Sequence, residues 1–113
     1  MRQFTNDDLF NCCEHYAEPN WRDFTSLQLL GCKAIAPQEG SLDMQAVALR
    51  EFLNDGKYVL QGLGRDRAEF FTVYGIREGS HAQAITSINE LASAAMVLKE
   101  LARRSGLAAH VLC

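Results

Sequence analysis

Segments rich in aromatic and β-branched residues alternate along this chain with segments in which apolar residues recur every three or four positions. Residues 57–63 and 68–76 belong to the first kind, which is typical of β-strands. The residues between them, 64–67, consist of a glycine and an Arg-Asp-Arg run, which favours a tight turn. The pattern therefore predicts an antiparallel β-hairpin.

Neither of these two strands alternates cleanly between apolar and polar residues. Phe70 and Phe71 must point to opposite faces of a sheet, and so must Val73 and Tyr74. A sheet with one solvated face would show a regular alternation. We therefore predict that both faces of the sheet are covered, or that one of them is a contact surface.

The longest helical pattern extends over residues 81–104. Its main apolar positions are spaced alternately by four and three residues, as expected for a helix face that is buried against a core. They are Ala84, Ile88, Leu91, Ala95, Leu98 and Ala102. Gly106 is well placed to end this helix, because glycine readily adopts the left-handed conformation that follows a last helical turn.

A second apolar stripe on this helix is formed by Ala94, Val97 and Leu101, which lie on a different side. It has two candidate partners, the N-terminal helices or a second copy of the chain. Small side chains such as Ala92 and Ala95 permit another helix to approach closely. A homodimer through the long helix is therefore one of the two interpretations.

The N-terminal half of the chain contains two helical patterns and one ambiguous segment. Residues 6–17 follow a favourable helix cap, Thr5, and residues 42–54 follow another, Ser41. Residues 21–36 fit either a strand or a short helix, because so short an apolar run does not distinguish the two. We favour the helix.

These patterns predict a single α+β domain over residues 1–113. N-terminal helices pack with an antiparallel β-hairpin and a long C-terminal helix, and residues 109–112 form a short third strand at the edge. The mass of 12.6 kDa suits one domain, and a content of 48% hydrophobic and 22% charged residues is ordinary for a folded protein.

Composition also limits the location and the partners of the protein. No apolar run approaches the roughly 20 residues that a membrane-spanning helix needs, so we expect no membrane partner. The N-terminal residues turn acidic at once and lack the apolar core of a signal peptide, which predicts a cytoplasmic protein. In that compartment the four cysteines are expected to be reduced thiols.

Four arginines form the most specific candidate site. Arg65 and Arg67 lie in the predicted hairpin turn, while Arg103 and Arg104 end the predicted helix. A helix of about 23 residues spans roughly 35 Å, enough to return along the hairpin to its tip. The four side chains would then share one edge, where they would bind phosphates or an acidic protein surface. The alternative is that they are separate, solvated surface arginines.

No cofactor or metal site is predicted. The glycines at positions 62 and 64 join two strands instead of opening a helix, so they do not form a dinucleotide-binding loop. Cys12 and His15 have helical i, i+3 spacing, and His110 and Cys113 repeat the interval, but no Cys-x-x-Cys pair supports a zinc site. A thiol activated by His15 would also need an orienting group, which the sequence does not show.

We therefore predict a non-catalytic protein-binding module that acts as an inhibitor, an adaptor or a regulatory accessory protein of the kind frequent in bacteria and phages. Its expected partner is another protein, bound through Arg65, Arg67, Arg103 and Arg104. One alternative is a nucleic-acid-binding regulator that uses the same arginines, although a net charge of −3 disfavours it. Another is a small cysteine-dependent enzyme that uses Cys12 and His15.

Overall fold

A computed structural model describes residues 4–35, 50–52, 58–79 and 81–113. Among these residues, the chain forms two α-helices, two single turns of 3₁₀ helix and six strands. The helices are α1, Asn6–Phe10, and α2, Leu91–Ser105, and the 3₁₀ turns are Glu14–Tyr16 and Trp21–Asp23. The strands are β1, Phe24–Ile35; β2, Arg50–Phe52; β3, Tyr58–Leu63; β4, Phe70–Arg77; β5, His81–Ile88; and β6, Ala108–Val111.

The strands form one sheet in the order β2-β3-β1-β4-β5. β1 is its central strand and pairs antiparallel with β3 and with β4. β6 also pairs with β1, in parallel, and forms the short additional edge strand that the sequence predicts. A mainly antiparallel sheet with a C-terminal helix and short N-terminal helical turns confirms the α+β class.

The predicted hairpin between residues 57–63 and 68–76 is wrong in its pairing. Both segments are strands, β3 and β4, but β1 lies between them. Gly31 of β1 pairs with Leu63 on one side and with Phe71 on the other. The predicted turn is present, since the amide of Arg67 donates to the carbonyl of Gly64 at 3.0 Å. This turn carries the chain across β1 instead of returning it along β3.

Gly31 makes this crossing possible because it has no side chain. A Cβ atom at this position would overlap the carbonyl oxygen of Leu63 and lie 3.0 Å from the Cβ of Ala68. Ala68 itself packs against the core. The crossing segment therefore lies directly on the backbone of the central strand.

The predicted helix 81–104 is wrong in its first third, where residues 81–88 form β5. β4 and β5 are the true hairpin: Arg77 pairs with His81, and Val73 pairs with Thr86. The alanines and β-branched residues of this segment are compatible with a strand, so the helical spacing of Ala84 and Ile88 was coincidental. α2 begins only at residue 91 and ends at Gly106, in the left-handed conformation that was expected.

The buried face of α2 combines the two predicted stripes. Ala94, Val97, Leu98 and Leu101 are buried against the sheet, whereas Ala95 is exposed. The second stripe is thus part of the core of one chain and is not available to another helix. A homodimer through this helix loses its structural basis.

The N-terminal predictions need three corrections. α1 has the predicted cap, with reciprocal hydrogen bonds between Thr5 and Asp8, but it ends at Phe10 instead of residue 17. Residues 24–35 form a strand instead of the favoured helix, because they are covered on both edges by paired strands. The predicted helix 42–54 lies largely outside the described residues, and residues 50–52 of it are in β2.

Buried residues lie on both faces of the sheet, as predicted. The larger cluster includes Leu27, Leu29, Val73 and Leu101, on the face that carries α1 and α2. On the other face Cys32 and Tyr74 are buried, at 0% and 1% exposed. The uneven alternation of β4 therefore reflects a sheet that is covered on both sides.

Candidate functional site

The first pair of predicted site arginines lies beside the C-terminal end of β6. Arg65 is exposed in the turn after β3, and its Nη2 donates to the carbonyl oxygen of Cys113 at 2.8 Å. Arg67 is also exposed, in the same turn. Arg65 and Arg67 therefore lie near the point where the chain crosses Gly31.

The second pair lies at the other end of β6. Arg103 and Arg104 are in the last turn of α2, and the chain then enters β6 opposite Ser26. β6 runs from there towards Cys113, and its four residues span about 13 Å. Because α2 starts at residue 91 instead of 81, it runs away from the turn that holds Arg65. The structure does not bring the four arginines to one edge.

Arg103 and Arg104 also share one carboxylate within the helix, which offsets one of their two charges. Both guanidinium groups bind Glu100, with nitrogen–oxygen distances of 2.6 and 2.7 Å. These hydrogen bonds, from Arg103 first and Arg104 second, lower the pKa of Glu100 to about 2. A nucleic-acid-binding edge built from four free guanidinium groups therefore has no geometric basis.

The Glu100 pairs predict a pH-dependent contribution to stability. Because the pKa of Glu100 is lowered in the folded state from an ordinary 4.5 to about 2, its stabilisation is complete above about pH 4.5 and is lost as the pH falls towards 2. Glu100→Gln should lower the melting temperature at pH 7, and this difference should shrink between pH 4.5 and pH 2. Thermal melts monitored by circular dichroism would measure it.

A matched control removes the same charge from an exposed turn, in Glu78→Gln. Its melting temperature should stay parallel to that of the wild type over the same pH range. An equal pH response of the two variants would contradict the assignment to Glu100.

Cys12 and His15 do not form the predicted pair on one helix. α1 ends before them, and His15 adopts a left-handed conformation with φ of 56°. The Cys12 thiol lies 3.4 Å from the hydroxyl of Ser87, while the imidazole of His15 is 87% exposed beside Glu14. Helical i, i+3 geometry is absent, so the cysteine-dependent enzyme loses the arrangement on which it depended.

The predicted metal-binding alternative meets the same difficulty. Cys12 lies against β5, and its amide donates to the carbonyl of Ile85 at 3.0 Å. His110 is in β6, on the opposite side of the central strand. The residues that the structure describes contain no group of three or more His, Cys, Asp or Glu side chains arranged to hold a metal ion.

The outer edge of β5 is covered by the N-terminal segment. The side-chain amide of Asn11 donates to the carbonyl of Ser87 and its oxygen accepts from the Ser87 amide, both at 2.8 Å. The Thr86 hydroxyl donates to the carbonyl of Asp8 at 2.8 Å. Asn11 thus pairs with β5 much as a neighbouring strand would. This covering protects one edge of the sheet from pairing with other chains.

The outer edge of β6 differs in this respect. The amide of Leu112 donates to Leu29 at 2.9 Å, so Ala108, His110 and Leu112 direct their backbone groups towards β1. Backbone direction alternates along a strand, and Ala109 and Val111 therefore direct theirs away from β1. Within the described part of the chain, no hydrogen bond is made to these outward groups.

The side chains of this strand leave the edge accessible. All four residues of β6 are exposed, and Val111 and the following Leu112 are each 51% exposed. The segment 108–112 contains no charge and no proline, the usual features that keep an edge strand from pairing. We call the outward backbone groups of Ala109 and Val111, with these side chains, the β6 edge.

The sequence predicted the strand but not its role. A short uncharged run after a helix-ending glycine is visible in the sequence. Its position at an edge that no other described strand pairs with depends on the order of strands. Among the described residues, neither helix has the length and apolar character to cross a membrane.

Comparison with known protein families, with curated protein sequences and with solved structures gives no match to this chain.

Proposed function

We propose that this protein is a non-catalytic protein-binding module that takes up an extended segment of a partner protein along the β6 edge. The uncovered, uncharged edge strand is the observation that supports this proposal. An extended segment that adds to a sheet edge gains affinity from main-chain hydrogen bonds and specificity from alternate side chains. Such a module would act as an inhibitor, an adaptor or a regulatory subunit.

The backbone of the β6 edge offers two donors and two acceptors. Each hydrogen bond to an added strand contributes about 1 kcal/mol net, which by itself gives weak binding. Apolar contacts with Val111 and Leu112 would add to it, since each side chain has half of its surface exposed. The proposed partner segment therefore carries apolar side chains at alternate positions.

Arg65 and Arg67 favour an acidic residue at one end of the partner segment. Arg65 uses one guanidinium nitrogen to bind the carbonyl of Cys113, directly beyond β6. A guanidinium group has further donors that suit a carboxylate. In this proposal Arg65 and Arg67 select the partner, while Arg103 and Arg104 stabilise α2 through Glu100.

Proline at position 109 provides a specific test, because it removes an amide that points away from β1. Ala109→Pro should keep the pairing of β6 with β1, since edge strands tolerate proline when the lost donor faces outward. It should reduce retention of the partner about tenfold or more. Tagged protein would be incubated with an extract of the native host, and retained proteins would be quantified by mass spectrometry.

The matched control is Ala109→Ser, which keeps the amide. The supporting result is a protein that the wild type and the serine variant retain and the proline variant loses. Thermal melts of all three should be similar, which separates lost binding from lost folding. If every protein retained by the wild type is retained equally by Ala109→Pro, the β6 edge is not the binding surface.

A further inference from the structure

The β6 edge is also self-complementary, and we infer that two copies of the chain pair through it when no partner is bound. The paired form would be a resting state in which each copy blocks the edge of the other. This inference rests on the proposed function only in naming the same edge as the binding surface. It replaces the predicted homodimer through the helix.

The outward groups have the spacing that an antiparallel, two-fold symmetric pair requires. With the two-fold axis at His110, Ala109 of one copy lies opposite Val111 of the second copy. Val111 of the first copy likewise lies opposite Ala109 of the second. Both residues direct their amide and carbonyl outward, so each opposed pair exchanges two hydrogen bonds. The His110 residues face each other as a pair without hydrogen bonds, with their Cα atoms about 4.5 Å apart.

The β6 strand itself carries nothing that would keep a second copy away. Ala108 and Ala109 are small, and the segment 108–112 carries no charge that would repel itself. Antiparallel pairing places Cys113 of one copy opposite Leu107 of the second, so the two Arg65 side chains that bind Cys113 are roughly 20 Å apart. This exceeds the screening length of about 8 Å at physiological salt. Each Arg65 then lies near the end of α2 of the other copy, where Glu100 offsets one of the two charges of Arg103 and Arg104. The isologous contact also closes on itself and leaves no free β6 edge.

The first measurement is the mass of the free protein as a function of concentration, by sedimentation equilibrium. The wild type and Ala109→Ser should change from the 12.6 kDa of one chain towards twice that value as concentration rises from about 10 µM to about 1 mM. Ala109→Pro should remain a monomer throughout. A wild type that stays monomeric, or a proline variant that dimerises equally, overturns the inference.

The register provides a second and sharper measurement. In a Cys12→Ser, Cys113→Ser background, His110→Cys should form a disulfide-linked dimer under mild oxidation, because the opposed Cα separation suits a disulfide. Ala108→Cys should not link to itself, since Ala108 lies opposite Leu112 of the second copy. A mixture of Ala108→Cys and Leu112→Cys chains should link. Equal linking of all single variants, or none by His110→Cys, contradicts the proposed axis.

These results separate the inference from the proposed function. If the wild type is a monomer and Ala109→Pro still abolishes retention of the partner, only the resting dimer is contradicted. If the dimer forms in this register but Ala109→Pro does not change which proteins are retained, only the partner-binding role of the β6 edge is contradicted.

Discussion

Leu98→Asp should prevent folding, because it places a carboxylate against the apolar face of the sheet. Leu98 is 5% exposed and belongs to the core cluster with Val73 and Leu101. An uncompensated buried charge costs about 3–5 kcal/mol, and the lost packing of a leucine costs about 2–5 kcal/mol more. The sum is comparable to the whole stability of a typical domain. Insoluble expression, or loss of the thermal transition, is the expected result.

Met96→Asp is the matched control on the same helix. Met96 is 48% exposed, two residues from Leu98, so an aspartate there stays in water. This variant should remain soluble and melt within a few degrees of the wild type. A normal thermal transition for Leu98→Asp would show that this face of α2 does not pack on the sheet.

Gly31→Val should also strongly destabilise the protein, because the chain crosses β1 at this position. Any Cβ atom there overlaps the Leu63 carbonyl, which is backbone and cannot turn aside as a side chain can. Overpacking costs about 1–3 kcal/mol and occasionally more, and displacing the crossing segment would also disturb the pairing of β3 with β1. We expect a loss of about 3 kcal/mol or more, measured by urea unfolding.

Gly106→Ala separates this steric effect from the general cost of replacing glycine. Gly106 has φ of 74°, but a Cβ atom there meets nothing within 4 Å. The expected loss is about 1 kcal/mol, from backbone strain alone. Comparable losses for the two variants would mean that Leu63 and Ala68 do not press on Gly31.

Local features of the fold were readable from the sequence. The cap at Thr5, the turn at 64–67 and the left-handed Gly106 each depend on a few neighbouring residues, and all three are present. The adjacent apolar residues of β4 predicted either a sheet covered on both faces or a contact surface on one of them, and the buried Cys32 and Tyr74 support the first. Such features can be read from the sequence because each depends on the backbone conformation or the burial of a few neighbouring residues.

The arrangement of strands was not readable in the same way. Residues 57–63 and 68–76 lie close in sequence and carry strand composition, so a hairpin was the simplest pairing. The preference of β1 for a central position depends on partners in β3, β4 and β6, which are distant in the sequence. Ala84 and Ile88 fit a helical period as well as a strand, and only the pairing of β5 with β4 resolves them.

The predicted grouping of four arginines at one edge was wrong for the same reason. They were grouped by assuming that a helix starting at residue 81 runs beside a hairpin. Both assumptions concern long-range pairing, and an error in either separates Arg65 from Arg103. The β6 edge, in contrast, was visible as a strand, yet which edges of a sheet stay uncovered is decided only by the order of all strands.

The central position of β1 has a consequence for how this protein reaches its native state. Ser26 pairs with Ile76 on one side and with Ala108 on the other, so one residue joins segments 50 and 82 positions away in sequence. The β4–β5 hairpin is the local pairing and is expected to form early. β1 can pair with β4 only after this hairpin has formed, and β6 can pair with β1 only after β1 is in place. We therefore expect slow folding, over milliseconds to seconds, with β6 the last strand to join.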